Sequence, residues 1–220
     1  QVTQELNKLQ KKQNEVIANN KRWGQSNDAI SRSLNYIKNR MAFMLSVGAT
    51  TNFVKQIIEI RGQYEMLERS IQILADSAQK GSEIFNQLNQ MALNSPFTTI
   101  ELGEAARQMS AYGVGTVDVV EITRSLADIS SAVGQPIERL TYALGQVQTY
   151  GYLTALQART FMRAGVPLVK ELAKSYSDLE GRVVTTAEVF DRMKKKQLSY
   201  NDVMRVVNEQ TDEGGRFFEY

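Results

Sequence analysis

Proline is absent from the first 94 residues of this 220-residue chain, and all three prolines, Pro96, Pro136 and Pro167, fall after that point. Glycine divides the same way, with four in residues 1–94 and ten in residues 95–220. Proline cannot continue a helix and glycine readily ends one, so the first part can sustain long helices while the second must turn often. The shift predicts a boundary near Leu93–Thr99. A long helical region is expected over 1–94 and a compact helical domain over 95–220.

The first part reads as helix with heptad spacing. Val2, Leu6, Leu9, Gln13, Val16, Asn20 and Trp23 alternate steps of four and three, and Ile30, Leu34, Ile37, Met41, Met44 and Gly48 do so again. The most regular run is Ile60, Tyr64, Leu67, Ile71, Leu74, Ala78, Gly81, Phe85, Leu88 and Ala92. A 3.5-residue repeat keeps one apolar seam facing a partner helix. The candidate self-association seam is therefore Ile60, Tyr64, Leu67, Ile71, Leu74, Phe85 and Leu88. Residues 26–93 fit either one rod or a folded-back hairpin, with Gly48 and Gly62 as the expected bends. The expected fold is all-α: long heptad-patterned helices, as coiled coil or helical hairpin, followed by a compact bundle of short helices.

The second part carries explicit helix start and stop signals. Thr98 with Glu101, Thr154 with Gln157 and Thr185 with Glu188 have capping-box spacing, and Thr116 and Ser199 are further N-cap candidates. Gly134-Gln135-Pro136 and Gly165-Val166-Pro167 each pair a left-handed helix end with a proline suited to the next first turn. Structural turns are expected at Pro96, Gly113, Gly134, Pro136, Gly151, Gly165, Pro167 and Gly214. The short helices are predicted at 99–112, 117–133, 136–150, 155–164, 167–176, 186–197 and 200–213. "AARQMSAYG" (105–113) and "ALGQVQTYG" (143–151) form a weak internal repeat.

Little in the chain points to chemistry. Histidine and cysteine are both absent, which removes disulfides, thiolate metal sites and every triad that needs an imidazole. No catalytic, cofactor or metal residues are expected. A net charge of +2 does not argue for a nucleic-acid or membrane partner. Met41–Ile60 carries Asn52, Lys55, Gln56 and Glu59, which suits a buried helix better than a membrane span. Gly113-Val114-Gly115 lacks the rest of a phosphate loop and reads as a helix end. Lys194-Lys195-Lys196 reads as a solvated helix C-terminus. Glu101, Glu104, Asp128, Glu138, Glu171, Asp178 and Glu180 have no motif around them that would make an acid–base pair. Tyr112, Tyr142, Tyr150, Tyr152 and Phe161 are expected to pack inside the bundle. "EGGRFFEY" (213–220) suggests the start of a further element, or a contact whose partner is missing. Because the chain opens on Gln1, a processed product or an excerpt from a longer protein is expected.

Several stretches, in order, resemble the tape measure domain of tailed-phage and prophage tape measure proteins: "NSPFTTIELGEAARQMSAYG", "LADISSAVGQPIERLTYALGQVQTYGYLTALQARTFMRAGVPLVKELA" and "DEGGRFFEY". "EIRGQYEMLERSIQIL" looks like the lead-in, so the resemblance covers about residues 58–220. It implies a structural protein in the lumen of the tail tube that sets tube length and leaves during genome delivery. Implied partners are the tail tube protein, tail assembly chaperones and tail-tip or baseplate hub proteins, with several copies together as a homo-oligomer. Assembly in the host cytoplasm and contact with the host membrane on ejection are also implied. No catalytic residue is carried over. The alternatives from other classes are a fragment of a murein-processing enzyme and a bacterial coiled-coil adaptor.

Overall fold

The computed structural model describes residues 49–218, with side chains from residue 56 onward. The heptad runs of residues 2–23 and 30–48 lie outside the described residues. Among those described, the chain is all-α, with nine helices and no strand. They are α1 (Ala49–Leu74), α2 (Ala78–Leu93), α3 (Thr99–Ala111), α4 (Val119–Val133), α5 (Ile137–Tyr150), α6 (Ala155–Arg163), α7 (Leu168–Glu180), α8 (Thr186–Lys194) and α9 (Tyr200–Thr211). The chain divides into two units, Gln1–Glu65 and Met66–Tyr220. In the first, only the opening part of α1 is described. The second contains the end of α1 and all the other helices. The change in glycine and proline usage near residue 94 falls between α2 and α3, within this second unit.

Local chemistry sets the helix limits. Thr98 accepts from the Glu101 amide while Glu101 accepts from the Thr98 amide at 2.7 Å, closing a full capping box. Thr154 with Gln157 and Ser199 with Asp202 do the same. Thr185 caps α8, but Glu188 does not reciprocate because two arginines hold its carboxylate. Thr116 is not an N-cap. The turn there starts from Gly115, whose carbonyl accepts from the Asp118 and Val119 amides, and the helix begins two residues later than predicted.

Gly113, Gly134 and Gly165 each take the left-handed conformation in a Schellman end. At Gly134 its amide reaches Ser131 O and the next amide reaches Ser130 O. Gly151 and Gly214 also have positive φ. Pro136 and Pro167 stand one position earlier than the spacing suggested, as N-caps whose carbonyls accept the first helical bonds from Arg139 and Lys170. Pro96 lies exposed in the 94–97 connection.

The helix run 60–92 is not continuous. α1 ends after Leu74 in a Schellman motif with Asp76 at φ 49°, and Ser77 caps α2. The break does not fall at Gly62, which lies within α1, and Gly48 is outside the described residues. Asp76 tolerates the left-handed region better than most side chains, and Ser77 offers the cap that starts a new helix.

The second unit is built around α3, which packs most extensively on α5 and also on α2 and α4. α7 lies against α6, α8 and α9, and α9 returns to α4. Leu88, Leu102, Met109, Leu126, Leu140, Leu144 and Phe161 fill the centre and are essentially inaccessible. The two copies of the weak repeat meet face to face. A Cβ on Gly145 would lie 2.0 Å from Tyr112 Cδ2, so the Tyr112 ring sits directly on the α5 backbone.

Buried polar pairs fix the register. Thr99 Oγ1 donates to Asn89 Oδ1 at 2.9 Å, joining α3 to α2, and Thr211 Oγ1 reaches Ser125 Oγ at 3.2 Å, joining α9 to α4. The connections 151–153 and 198–200 pair over a single bridge, Tyr152 with Ser199, with the Leu153 amide 2.7 Å from Leu198 O. Within "EGGRFFEY", the described residues 213–218 turn back onto the fold. Phe217 is buried, and its amide donates to Gln210 O.

Candidate interaction surface

Four of the carboxylates singled out in the sequence, Glu101, Glu104, Glu171 and Glu180, have separate partners. Glu101 caps α3, Glu104 holds Arg107 at 2.6 Å, and Glu180 joins an arginine network. Glu138 and Asp128 are half-buried, and Asp178 is exposed. Glu171 is buried beside Arg216 at 3.3 Å, which ties α7 to the closing segment. Among the described residues, no group of three metal-ligating side chains is present.

The densest polar arrangement runs along α7–α9. Arg182 and Arg192 both contact both Glu180 and Glu188, at 2.6–2.8 Å. Arg192 and Arg205 also lie over the Tyr176 ring, 4.4 and 5.3 Å from its centroid. The phenol of Tyr176 is pushed up by burial and then by Asp202 beside it. Burial raises the Asp202 carboxyl, but hydrogen bonds from the Ser199 hydroxyl and amide outweigh it and hold the group down.

Hydrogen bonds from Arg182 and then Arg192 bring Glu188 down from 4.5 to about 2. A depressed carboxyl pKa contributes stability above the unfolded value and loses it as pH falls toward the folded one. A side-chain NMR titration of Glu188 is therefore expected to have its midpoint near 2, and the stability its ion pairs contribute to fall away between pH 4.5 and 2. A midpoint near the ordinary value of about 4.3 would show that the network does not hold in solution.

Two grooves open on the second unit. One, of about 430 Å³, is largely apolar and runs along Met162, Val166, Pro167, Val169 and Phe190 with Lys170 at its edge. It forms where the Gly165-Val166-Pro167 corner brings α6, α7 and α8 together. The other, of about 250 Å³, is mixed in character, with Asp118, Glu121, Gln148 and Tyr200 facing it beside Ile122 and Met204. Burial and then the Asp118 charge push the Tyr200 phenol up to about 12. The second groove draws on residues far apart in the chain, from Val114 to Asn208, whereas the first is gathered around the 165–167 corner with α8 closing it.

The structure splits the candidate seam. Leu67, Ile71, Phe85 and Leu88 are buried within the second unit. Ile60 and Leu74 are exposed and Tyr64 is half-buried. Met66 and Ile73 on α1 are exposed too, and both stand off the heptad positions. The aromatic cluster also divides. Phe161 is core, whereas Tyr142 and Tyr150 are more than half exposed, and Tyr150 stands 6.2 Å from Tyr152 at the Gly151 turn. Lys196 lies over Tyr152 at 4.9 Å and takes the left-handed turn that ends α8.

This surface offers apolar and aromatic contact but no assembled reaction centre among the described residues. A family model described as tape measure protein matches residues 55–219. The chain belongs to the tape measure protein family. No curated protein and no solved structure matches it.

The tape measure match takes in all of the second unit except Tyr220, together with the last part of α1 before it. Its turns therefore belong to a phage-tail structural family, and the Ser-Pro-Phe entry, the Ala-Gly-Val-Pro corner and the Glu-Gly-Gly-x-Phe close each have a place in the fold. The corner forms the apolar groove, and the close delivers Phe217 to the core and Arg216 to Glu171.

Proposed function

We propose that the chain is the part of a phage tape measure protein that joins a compact assembly module to a helical ruler. The module is the unit Met66–Tyr220, and the ruler includes the heptad sequence that precedes it. A helix has a fixed rise of about 1.5 Å per residue, which is the property a length standard requires. The module would engage tail assembly chaperones, the tube protein or the tail-tip or baseplate hub, with several copies together in the tube lumen. Release during genome delivery, with contact at the host membrane, belongs to the same reading.

The observation that carries the proposal is the family match extending over the whole compact unit up to residue 219 rather than over heptad sequence alone. A generic coiled-coil adaptor would have no reason to carry this bundle. Deleting residues 66–218 from the full-length gene is expected to abolish tail initiation, seen by electron microscopy as an absence of tubes. Tails of normal number and length from that deletion would refute the assignment of an assembly role to the module.

A further inference from the structure

The turn between α1 and α2 interrupts a pattern that the sequence does not interrupt. Leu67, Ile71, Leu74, Ala78, Gly81, Phe85 and Leu88 keep their four–three alternation straight through Ala75-Asp76-Ser77. None of those three residues is glycine or proline, so nothing covalent forbids helix there. The turn depends on Asp76 holding φ at 49° and on the Ser77 side chain accepting from the Lys80 amide at 3.3 Å. A left-handed residue other than glycine is disfavoured, so the bent form is held by contacts elsewhere.

Those contacts are few and specific. A Cβ on Gly81 would stand 2.3 Å from Gln72 Cα, so α1 and α2 meet backbone to backbone. Ser82 Oγ donates to Glu68 Oε1 at 3.0 Å and accepts from Gln72 Nε2 at 2.9 Å. Leu67 seats on Gly103 of α3, where a Cβ would come within 2.4 Å of Leu67 Cδ2. α2, by contrast, is anchored independently on α3 through Asn89 and Thr99 and by the buried Phe85 and Leu88. It can stay in the bundle while α1 moves.

We propose that Ala75–Ser77 is a hinge, and that its open form continues α2 into α1 as one helix presenting Leu67, Ile71, Leu74 and Ala78 to a second copy of the chain. In the closed form Leu67 and Ile71 are covered by the chain's own bundle and only Leu74 of this set of large side chains is exposed. Opening completes the seam. The occupant is a second copy because a strict heptad spacing is what pairs a helix with another of the same spacing. Closed chains would remain apart and open chains would associate, which makes assembly conditional on straightening. This inference does not depend on the role in the tail.

The chain has no cysteine, so spin labels can be placed at Arg69 and Glu83, two exposed residues flanking the Glu68–Ser82 contact. A straight helix puts these positions about 21 Å apart, at roughly 1.5 Å per residue. Asp76→Ala with Ser77→Ala removes the left-handed residue and the cap without touching the seam, and Gly103→Ala displaces Leu67 from the opposite side. Both are expected to populate the separation near 21 Å and to dimerise at about tenfold lower concentration than the parent chain by analytical ultracentrifugation. Asp76→Gly, which eases the turn, should shift both readouts the other way. Adding Leu74→Asp to the opened chain should return it to monomer while leaving the long separation. An unchanged distance in both opened variants, with helicity intact, would overturn the hinge. A lengthened distance with no association would overturn the second copy as its occupant.

Discussion

Gly145→Val is expected to destabilise the bundle by about 3 kcal/mol, the upper range for overpacking a filled site. Tyr112 Cδ2, Cε2 and Cγ all lie within 2.6 Å of where the new Cβ would stand, so the whole ring has to leave rather than its tip. The ring caps the contact between the two copies of the internal repeat, on α3 and α5, the most extensive helix pair among the described residues. For a domain of this size the loss corresponds to roughly 6–12 °C in melting temperature. A thermal melt by circular dichroism checks it. A shift below about 1 °C would mean that α3 and α5 do not approach this closely. Gly62→Ala is the matched control. A Cβ there meets nothing within 4 Å, so replacing this mid-helix glycine should be neutral or stabilising by up to about 1 kcal/mol.

The second large effect concerns the closing segment. Phe217→Ala should cost about 3 kcal/mol, the low end for removing a buried phenylalanine. Phe218→Ala should cost much less, because Phe218 remains 38 % exposed while Phe217 is at 5 %. Equal effects of the two substitutions, measured by urea denaturation, would show that the segment does not dock. Arg216 arrives with Phe217 and faces the buried Glu171, so docking places a guanidinium beside a carboxylate that would otherwise stand without it. Glycine makes the approach feasible. Gly214 sits at φ 84°, and a Cβ on Gly215 would lie 2.5 Å from the Gln210 carbonyl.

Helix starts and ends are written locally in this chain. Thr98, Thr154 and Ser199 could be read as helix starts because a capping box is contained within four residues. Gly113, Gly134, Gly151 and Gly165 could be read as helix ends because the left-handed conformation favours glycine wherever it occurs. Seven short helices therefore stood out with limits within a few residues of those observed.

The sequence is silent where the deciding contact lies elsewhere in the chain. Glu188 has box spacing with Thr185 but is drawn to Arg182 and Arg192, one of them on the preceding connection. Leu67, Ile71, Phe85 and Leu88 have heptad spacing, but spacing does not say whether the partner helix belongs to another chain or to the same one. Here the bundle itself covers them. Tyr142 and Tyr150 have the composition of core residues and yet face solvent, since their helix α5 already buries Leu140, Leu144 and Val147 on its other side. Phe217 follows two glycines and looks like a free end until Gln210 and Glu171 are placed opposite it.

The bend at Asp76 also determines where a ruler can be tested. An insertion within 60–87 would fall across the α1–α2 turn and disrupt the bundle. The heptads of residues 2–22 precede the matched region and leave it intact. The most direct test of the tape measure account is tail length by electron microscopy after duplicating residues 2–22, three heptads, in the full-length gene. If this sequence lies helical along the tube, the tails lengthen by about 32 Å, at roughly 1.5 Å per residue. Normal tails of unchanged length would contradict the claim that this chain measures the tail.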